Sequence, residues 1–262
     1  MNLKHLEPLG RRRLFANSFA TLDPSGEVLS VVGTVNDDQI VIQPVGATIS
    51  VTMNGQTEAV SSEKIRRVDV VTFEGDDSID ASSCAFDLNI GLGTGENTIH
   101  CGSGDDVVNG GSDSDVMYGG DGIESLRGGY GADSLYGEGG YDSLFGEDGN
   151  DLLSGGGGKD HLAGAGGKDR LYGGANDDQL DGGSGHDRLY GNAGNDRLFG
   201  GNGDDQLTGN PGIDRFYGNG GDDAIFSNDG IAESLDGGRG ADAAMSDTVL
   251  DTRFSVESNL DG

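Results

Sequence analysis

Apolar positions along the chain follow two regimes. Between residues 28 and 71 they alternate with polar ones in short β-branched runs: Val28-Leu29-Ser30-Val31-Val32, Gln39-Ile40-Val41-Ile42, Thr48-Ile49-Ser50-Val51-Thr52-Met53 and Val68-Asp69-Val70-Val71. Turn formers separate these runs, namely Asn36-Asp37-Asp38, Pro44 with Gly46, and Asn54-Gly55. Alternation with such punctuation predicts strands and hairpins. From residue 92 the spacing changes to one apolar residue in nine: Ile99, Val108, Met117, Leu126, Leu135, Leu144, Leu153, Leu162, Leu171, Leu180, Leu189, Leu198, Leu207, Phe216 and Ile225. So sparse a pattern cannot line a helix face, which needs three or four apolar residues per two turns. Glycine at the density found here also opposes helix. A short strand with one inward apolar residue, followed by a six-residue turn, accounts for the spacing.

The period is strict. From Leu92 to Phe226 the chain divides into fifteen nonapeptides without insertion, with the apolar residue at position eight. Position six is Asp in thirteen units, with Asn97 and Glu124 the exceptions. Position four is Gly in thirteen, after allowing for Asp113 and Asn176, and position one is Gly in all but Leu92 and Cys101. Gly75-Asp76-Asp77-Ser78-Ile79 reads as an earlier unit, 228–236 as one with an extra residue, and 237–242 as a last. Two nonapeptides make one coil, so two parallel sheets face each other across a thin leucine seam. Coils stacked at a strand spacing of ~4.8 Å would make the fifteen units a rod of roughly 36 Å.

Composition sets this architecture a problem. Gly accounts for 51 of 262 residues, Trp is absent and only 33% of the chain is hydrophobic. Asp and Glu number 46 against 16 Lys and Arg, a formal charge of -30. Low hydrophobicity with high net charge is the usual signature of disorder. The charge is concentrated: residues 1–71 carry a net of -1, and residues 72–262 a net of -29. Nucleic-acid binding through a basic surface is excluded, since phosphate needs positive charge. No stretch approaches the roughly 18 apolar residues of a membrane span.

The nonapeptide, as in Gly182-Gly183-Ser184-Gly185-His186-Asp187-Arg188-Leu189-Tyr190, resembles the Gly-Gly-x-Gly-x-Asp-x-U-x repeat of RTX (hemolysin-type) calcium-binding proteins. The resemblance implies an all-β fold, a parallel β-roll built as a right-handed solenoid with two nonapeptides per coil. It also implies a secreted or cell-surface protein of bacterial type whose cofactor is calcium, held between turns of adjacent coils. The side-chain ligands it implies are Asp115, Asp133, Asp151, Asp169, Asp187, Asp205 and Asp223 along one edge. Along the other are Asp106, Glu124, Asp142, Asp160, Asp178, Asp196 and Asp214. Backbone carbonyls would come from Gly110, Gly119, Gly128, Gly137, Gly146, Gly155, Gly164, Gly173, Gly182, Gly191 and Gly200 at position one. At position four they would come from Gly131, Gly140, Gly149, Gly158, Gly167, Gly185, Gly194 and Gly203. Glycine allows the left-handed backbone such turns need. Calcium takes six to eight oxygens from carboxylates and carbonyls. About 10–13 ions would add +20 to +26 and cancel most of the charge. Asp113, Glu124 and Pro211 interrupt the pattern and are the places where sites should be distorted.

The reading divides the chain into four: 1–27 as a basic leader or disordered segment, 28–71 as a β-rich N-terminal cap, 72–245 as the calcium-binding roll, and 246–262 as a C-terminal cap or tail. Residues 5–16, His-Leu-Glu-Pro-Leu-Gly-Arg-Arg-Arg-Leu-Phe-Ala, lack the apolar core of a secretory signal. They resemble a short Leu-Glu-Pro-Leu…Arg-Arg-Leu-Leu-Ala leader of many planctomycete surface or secreted proteins, with Gly10 and Phe15 off the pattern. A frayed terminus is the alternative.

Three other constellations bear on function. Arg170, Tyr172, Arg188 and Tyr190 should stack outward on one sheet, and Arg197, Phe199, Arg215 and Tyr217 on the other. Such ladders either bind glycans or cell-surface proteins, or merely shield the sheet and trim its acidity. Cys84 and Cys101, seventeen residues apart, are one residue short of a coil; they either pair as a disulfide or remain free thiols. No His-Glu-x-x-His, phosphate-loop or Gly-x-Ser-x-Gly motif is present, so a catalytic role is not expected.

Overall fold

The computed structural model describes residues 18–227, 229, 231–246, 252–255 and 258–259. The leader through residue 17, Asn228 and most of the expected C-terminal cap lie outside the described residues. All regular structure among the described residues is β. Twenty-seven strands form two sheets, of thirteen and fourteen strands.

Successive strands of the array alternate between the two sheets, and each pairs in parallel with the strand eighteen residues away. Leu135 lies opposite Leu153 in one sheet and Leu144 opposite Leu162 in the other. All fifteen eighth-position side chains point between the sheets and are completely buried. The strands exceed the three residues the pattern required. Ser134–Gly140 and Ser143–Gly149, for example, continue from position seven into the following turn. Near Pro211 the strand Gln206–Thr208 keeps only three residues, because proline has no N–H to give a neighbouring coil.

The N-terminal strands lie in the same two sheets. Strands β1 (Ala20–Leu22), β2 (Val28–Val32), β3 (Gln39–Val45), β4 (Thr48–Met53), β5 (Gln56–Ser61), β6 (Arg67–Val71), β7 (Ser78–Asp80) and β8 (Asp87–Gly91) precede the unbroken array. In the first sheet β2 pairs in parallel with β6, β6 with β8, and β8 with Val107–Gly111. In the second, β3 pairs in parallel with β7, and β7 with Thr98–His100. The antiparallel pairs are β1–β2 and the β3–β4–β5 meander, which ends the second sheet. In β3 and β4 two apolar side chains per strand are buried, Ile40 with Ile42 and Ile49 with Val51, as ordinary alternation demands.

Coil length is set by register. Ile79 lies opposite Ile99, twenty residues on, and only then does the period settle to eighteen. At the far end Phe216 pairs with Leu235 and Ile225 with Ala244, each nineteen residues on, so the extra residue in 228–236 is absorbed in a turn.

The twenty-residue coil decides the cysteine geometry. Ala81, not Cys84, stacks beneath Cys101, since the Ala81 N–H donates to the His100 carbonyl. Cys84 sits in the enlarged turn, and its thiol donates to the Ile42 carbonyl at 3.2 Å. Both cysteines are buried free thiols, and the disulfide pairing is not formed. Burial pushes the Cys84 thiol up to about 12 and the Cys101 thiol well above its ordinary value.

Candidate metal centre

From Gly110 to Gly221 every turn except the one containing Gly149 combines two left-handed residues with one crowded glycine. Positions two and four have positive φ: Gly156 and Gly158 at 104° and 142°, Gly183 and Gly185 at 98° and 147°. A Cβ at position four would strike the carbonyl oxygen of the same position one coil earlier, 1.4 Å from Gly149 O at Gly167. Position two is more tolerant. Glu138, Glu147, Ala165 and Asn192 occupy it at φ of 70° to 74°. Asp113 and Asn176 accept left-handed backbone at position four, at 72° and 79°.

First-position glycines serve a different purpose from the conformational freedom expected of them. None from Gly137 to Gly218 has positive φ. Instead, a Cβ on Gly146 would fall 2.3 Å from Oδ2 of Asp151 and 2.9 Å from the Gly164 carbonyl oxygen. The same relation recurs at Gly164, whose Cβ would meet Asp169 Oδ2 and the Gly182 carbonyl. Glycine here clears space for the carboxylate of its own unit beside a carbonyl of the next coil.

The sixth-position side chains form two ladders. On one edge the backbone N–H of Asp115 donates to Oδ1 of Asp133, Asp133 to Asp151, Asp151 to Asp169 and Asp169 to Asp187, each at 2.8 Å. Asp187 and Asp205 continue the series to Asp205 and Asp223. On the other edge Glu124 donates to Asp142, and Asp142, Asp160, Asp178 and Asp196 donate in turn to Asp160, Asp178, Asp196 and Asp214. Oδ1 is therefore fully used. In all thirteen aspartates of the array, Oδ2 is buried with no hydrogen-bond partner.

Burial raises the pKa of these carboxyls, because charge is disfavoured away from water. Asp133, Asp169, Asp196 and Asp205 rise from 3.8 to about 7, and Asp178 to about 8. The backbone N–H donated to Oδ1 opposes the rise in each case.

The edges begin differently from what the repeat alone suggests. Asp77 and Asp242, at sixth-position equivalents outside the unbroken array, belong to the first ladder: Asp38 N–H donates to Asp77, and Asp223 N–H to Asp242. The signal for both is present in the flanking units. Asp38 ends the ladder with its carboxylate met by Thr34 N–H, the Thr34 hydroxyl and the Asn54 amide. Asn97 accepts the Asp77 N–H but turns its own Nδ2 toward Asp115 Oδ1 at 2.9 Å, placing a donor where other rungs have a bare oxygen. Glu124 breaks the second ladder. No bond joins the Asp106 N–H to it, and both its carboxylate oxygens are buried without a partner. Burial first, then the neighbouring Asp142 carboxyl, holds the Glu124 carboxyl protonated well above its usual range.

An array of buried, unpartnered carboxylate oxygens is costly unless something of opposite charge meets it. The donor set is all oxygen, one carboxylate and several carbonyls per turn, which suits a hard cation such as calcium. Among the described residues no three His, Cys, Asp or Glu side chains gather into one metal-holding group, so carbonyls must complete any coordination shell. Comparison with protein families bears on the same segment. Seven overlapping stretches match the RTX calcium-binding nonapeptide repeat, at 93–123, 118–153, 127–162, 154–189, 163–198, 172–207 and 199–231. Together they span 93–231, more than half of the 262 residues. Comparison with curated proteins gave no match. The oxygen-lined ladders and the family match converge: this chain belongs to the RTX family of calcium-binding nonapeptide repeat proteins, and its cofactor is Ca2+.

Proposed function

We propose that the chain is a non-catalytic scaffold that acts outside the cell and orders its roll by taking up extracellular calcium. The carrying observation is the row of thirteen aspartates whose Oδ2 atoms are buried and unpartnered. Their burial belongs to the folded roll, yet ionised carboxylates disfavour that burial at neutral pH. Calcium resolves the conflict by supplying positive charge to oxygens already aimed inward. The sixth-position Asp residues, Glu124 and the turn carbonyls would hold the ions. Asp77 and Asp242 extend the set on the first edge. Strands β1 to β5 would close the N-terminal end, as solenoids require.

Sites of this kind in extracellular modules work at roughly 10⁻⁴–10⁻³ M calcium, a range that keeps the chain unfolded inside a cell and folded outside it. Circular dichroism with increasing calcium tests the proposal. The expected result is loss of β signal in chelator and its cooperative return at millimolar calcium. A chain fully folded in chelator at neutral pH would overturn it.

A further inference from the structure

The outward ninth positions of the second sheet form a stripe of rings with two single-rung interruptions. His100, Tyr118 and Tyr136 stack at centroid distances of 4.5 and 4.8 Å, with planes 2° and 8° apart. Tyr172 and Tyr190 stack at 4.9 Å and 7°. Between these two stacks the register places Ser154, opposite both Tyr136 and Tyr172. Beyond Tyr190 it places Thr208 and then Phe226. A ring is thus missing over Ser154 and again over Thr208, on a half-buried surface.

Each gap has the width of one more ring. Walls two rungs apart are separated by ~9.6 Å, twice the strand spacing. A ring inserted midway would lie ~4.8 Å from each wall, within the range that stacked rings prefer. The floor of each gap is a hydroxyl, which can hydrogen-bond a polyhydroxy ring and has little to offer a purely aromatic one.

Charge adds a second, independent indication. Arg170 and Arg188 stand outward on the strands that carry Tyr172 and Tyr190, directly opposite each other. Like charges in that relation destabilise a sheet. Neither makes an ion pair, although the chain carries a charge of -30; the four pairs among the described residues use Arg67, Arg127, Lys159 and His186. The neighbouring Asp169 and Asp187 point inward and are buried. Glu138 lies two residues beyond Tyr136 and is exposed, and Asp80 faces His100 at the far end of the stripe. Asn192 and Asn210 hold the corresponding places beside the Thr208 gap, and the exposed Asp229 follows Phe226 by three residues.

We propose that these gaps are two binding slots for pyranose rings bearing an acidic substituent, as in a sulfated polysaccharide. The rings of Tyr136 with Tyr172, and of Tyr190 with Phe226, sandwich a sugar. Ser154 and Thr208 bind its hydroxyls, and Arg170 and Arg188 meet its anionic group. A nucleic acid is a poorer occupant, because phosphate at every nucleotide needs a longer basic track than two arginines within an acidic rod.

The test uses the full chain in millimolar calcium, with folding checked separately by circular dichroism. A sulfated galactan tetrasaccharide and its desulfated counterpart are titrated by calorimetry, with tyrosine fluorescence as a second reading, since the chain has no Trp. The expected result is saturable binding of the sulfated sugar to the folded protein. Filling both gaps by Ser154→Tyr with Thr208→Tyr should weaken it at least about tenfold while leaving the calcium-dependent fold intact, because Tyr already occupies this position in other coils. Arg170→Gln with Arg188→Gln should abolish the preference for the sulfated form. Absence of binding to a demonstrably folded roll, equal binding of the two sugars, or unchanged binding by the filled variant would each overturn the proposal. Failure to fold with calcium would instead count against the calcium scaffold.

Discussion

The backbone N–H of Asp151 donates to Oδ1 of Asp169, eighteen residues on, at 2.8 Å, while Oδ2 of Asp169 stays buried without a partner. One carboxylate is divided between two tasks. One oxygen satisfies a turn amide that no strand partner serves, and the other is presented to the space beside a first-position glycine. The two tasks are separable by substitution. Asp169→Asn keeps an acceptor for the Asp151 N–H, whereas Asp169→Ala removes both oxygens. Both variants should lower the calcium stoichiometry measured by calorimetry. Only the alanine variant should carry the further loss of about 1–3 kcal/mol expected when the buried Asp151 N–H is left without an acceptor, read as a lower midpoint in denaturant at saturating calcium. Equal midpoints for the two variants would mean that the ladder bond contributes nothing.

Protons should substitute for calcium. The ladder carboxyls of the calcium-free roll have folded-state values raised by burial to about 6 at Asp115, Asp151 and Asp160, about 7 at Asp133, Asp169, Asp196 and Asp205, and about 8 at Asp178, against 3.8 in the unfolded chain. A raised folded value means that the folded state binds protons more tightly. The stabilisation is fully present below pH 3.8 and is lost as pH rises through 6 to 8. In chelator, β structure should therefore be greater at about pH 4 than at about pH 8. In calcium the two ligands compete for the same oxygens but favour the same folded state. The calcium concentration at half-folding should therefore decrease as pH falls from about 8 to about 5, while fewer ions are bound per folded chain. Circular dichroism across this grid checks both trends; a pH-independent signal in chelator would contradict the burial of the ladder.

Glycines that look equivalent in the repeat should differ sharply. Gly146→Ala places a Cβ 2.3 Å from Asp151 Oδ2 in a well-packed ladder, and overpacking of this kind costs about 1–3 kcal/mol. It should also weaken calcium binding at that rung. Gly157, at position three of its turn, has nothing closer than 3.9 Å to an added Cβ, and its φ is not left-handed. Gly157→Ala should be neutral or stabilise by about 0.4–1 kcal/mol through the unfolded chain. Thermal unfolding in saturating calcium separates the two, and similar shifts for both would refute the assigned role of position one.

The roll itself is legible in the sequence. One apolar residue in nine requires inward side chains such as Leu135 and Leu153, and the two-per-coil register follows from their facing rows. The sixth-position Asp residues stand out because they recur at one phase. Other features depend on contacts that a repeat unit does not encode. The role of Gly146 is legible only once Asp151 is seen folding back over it. The twenty-residue coil that sets Ala81 beneath Cys101 arises from two residues added in an irregular turn. A second ladder also escapes the motif, because position five varies in identity. There Asn150 Oδ1 accepts the Lys168 N–H, Asp177 Oδ1 the Asn195 N–H, and Asp204 Oδ1 the Asp222 N–H. Its bonds run toward the preceding coil, opposite to those of position six. Adjacent turn amides are thus served from both sides. Any short polar acceptor suffices for this, so no single residue type marks it.

Glu124 is the rung at which the second edge is interrupted, and it offers a gain-of-function prediction. Its extra methylene carries the carboxylate past the Asp106 N–H, leaves both oxygens buried without partners, and brings it against Asp142, so that burial first and then this neighbour drive its pKa upward. The rungs from Asp142 to Asp214, with aspartate throughout, show the arrangement a shorter side chain makes: Oδ1 on the amide one coil back, Oδ2 toward the glycine cradle. Gly119 supplies the corresponding cradle here, since its added Cβ would lie 2.7 Å from Glu124 Cγ and 2.8 Å from the Gly137 carbonyl. Glu124→Asp should let the Asp106 N–H bond form and join Asp106 to Asp142 through a continuous ladder. The expected outcome is a higher melting temperature in calcium, consistent with about 1–2 kcal/mol from one charge-assisted hydrogen bond. The calcium stoichiometry should be higher by at least one ion. The same substitution should lower the calcium concentration needed for folding at about pH 6, where the glutamate is held protonated and an aspartate is closer to ionised. Unchanged stoichiometry and melting temperature on Glu124→Asp would show that the interruption has no energetic consequence.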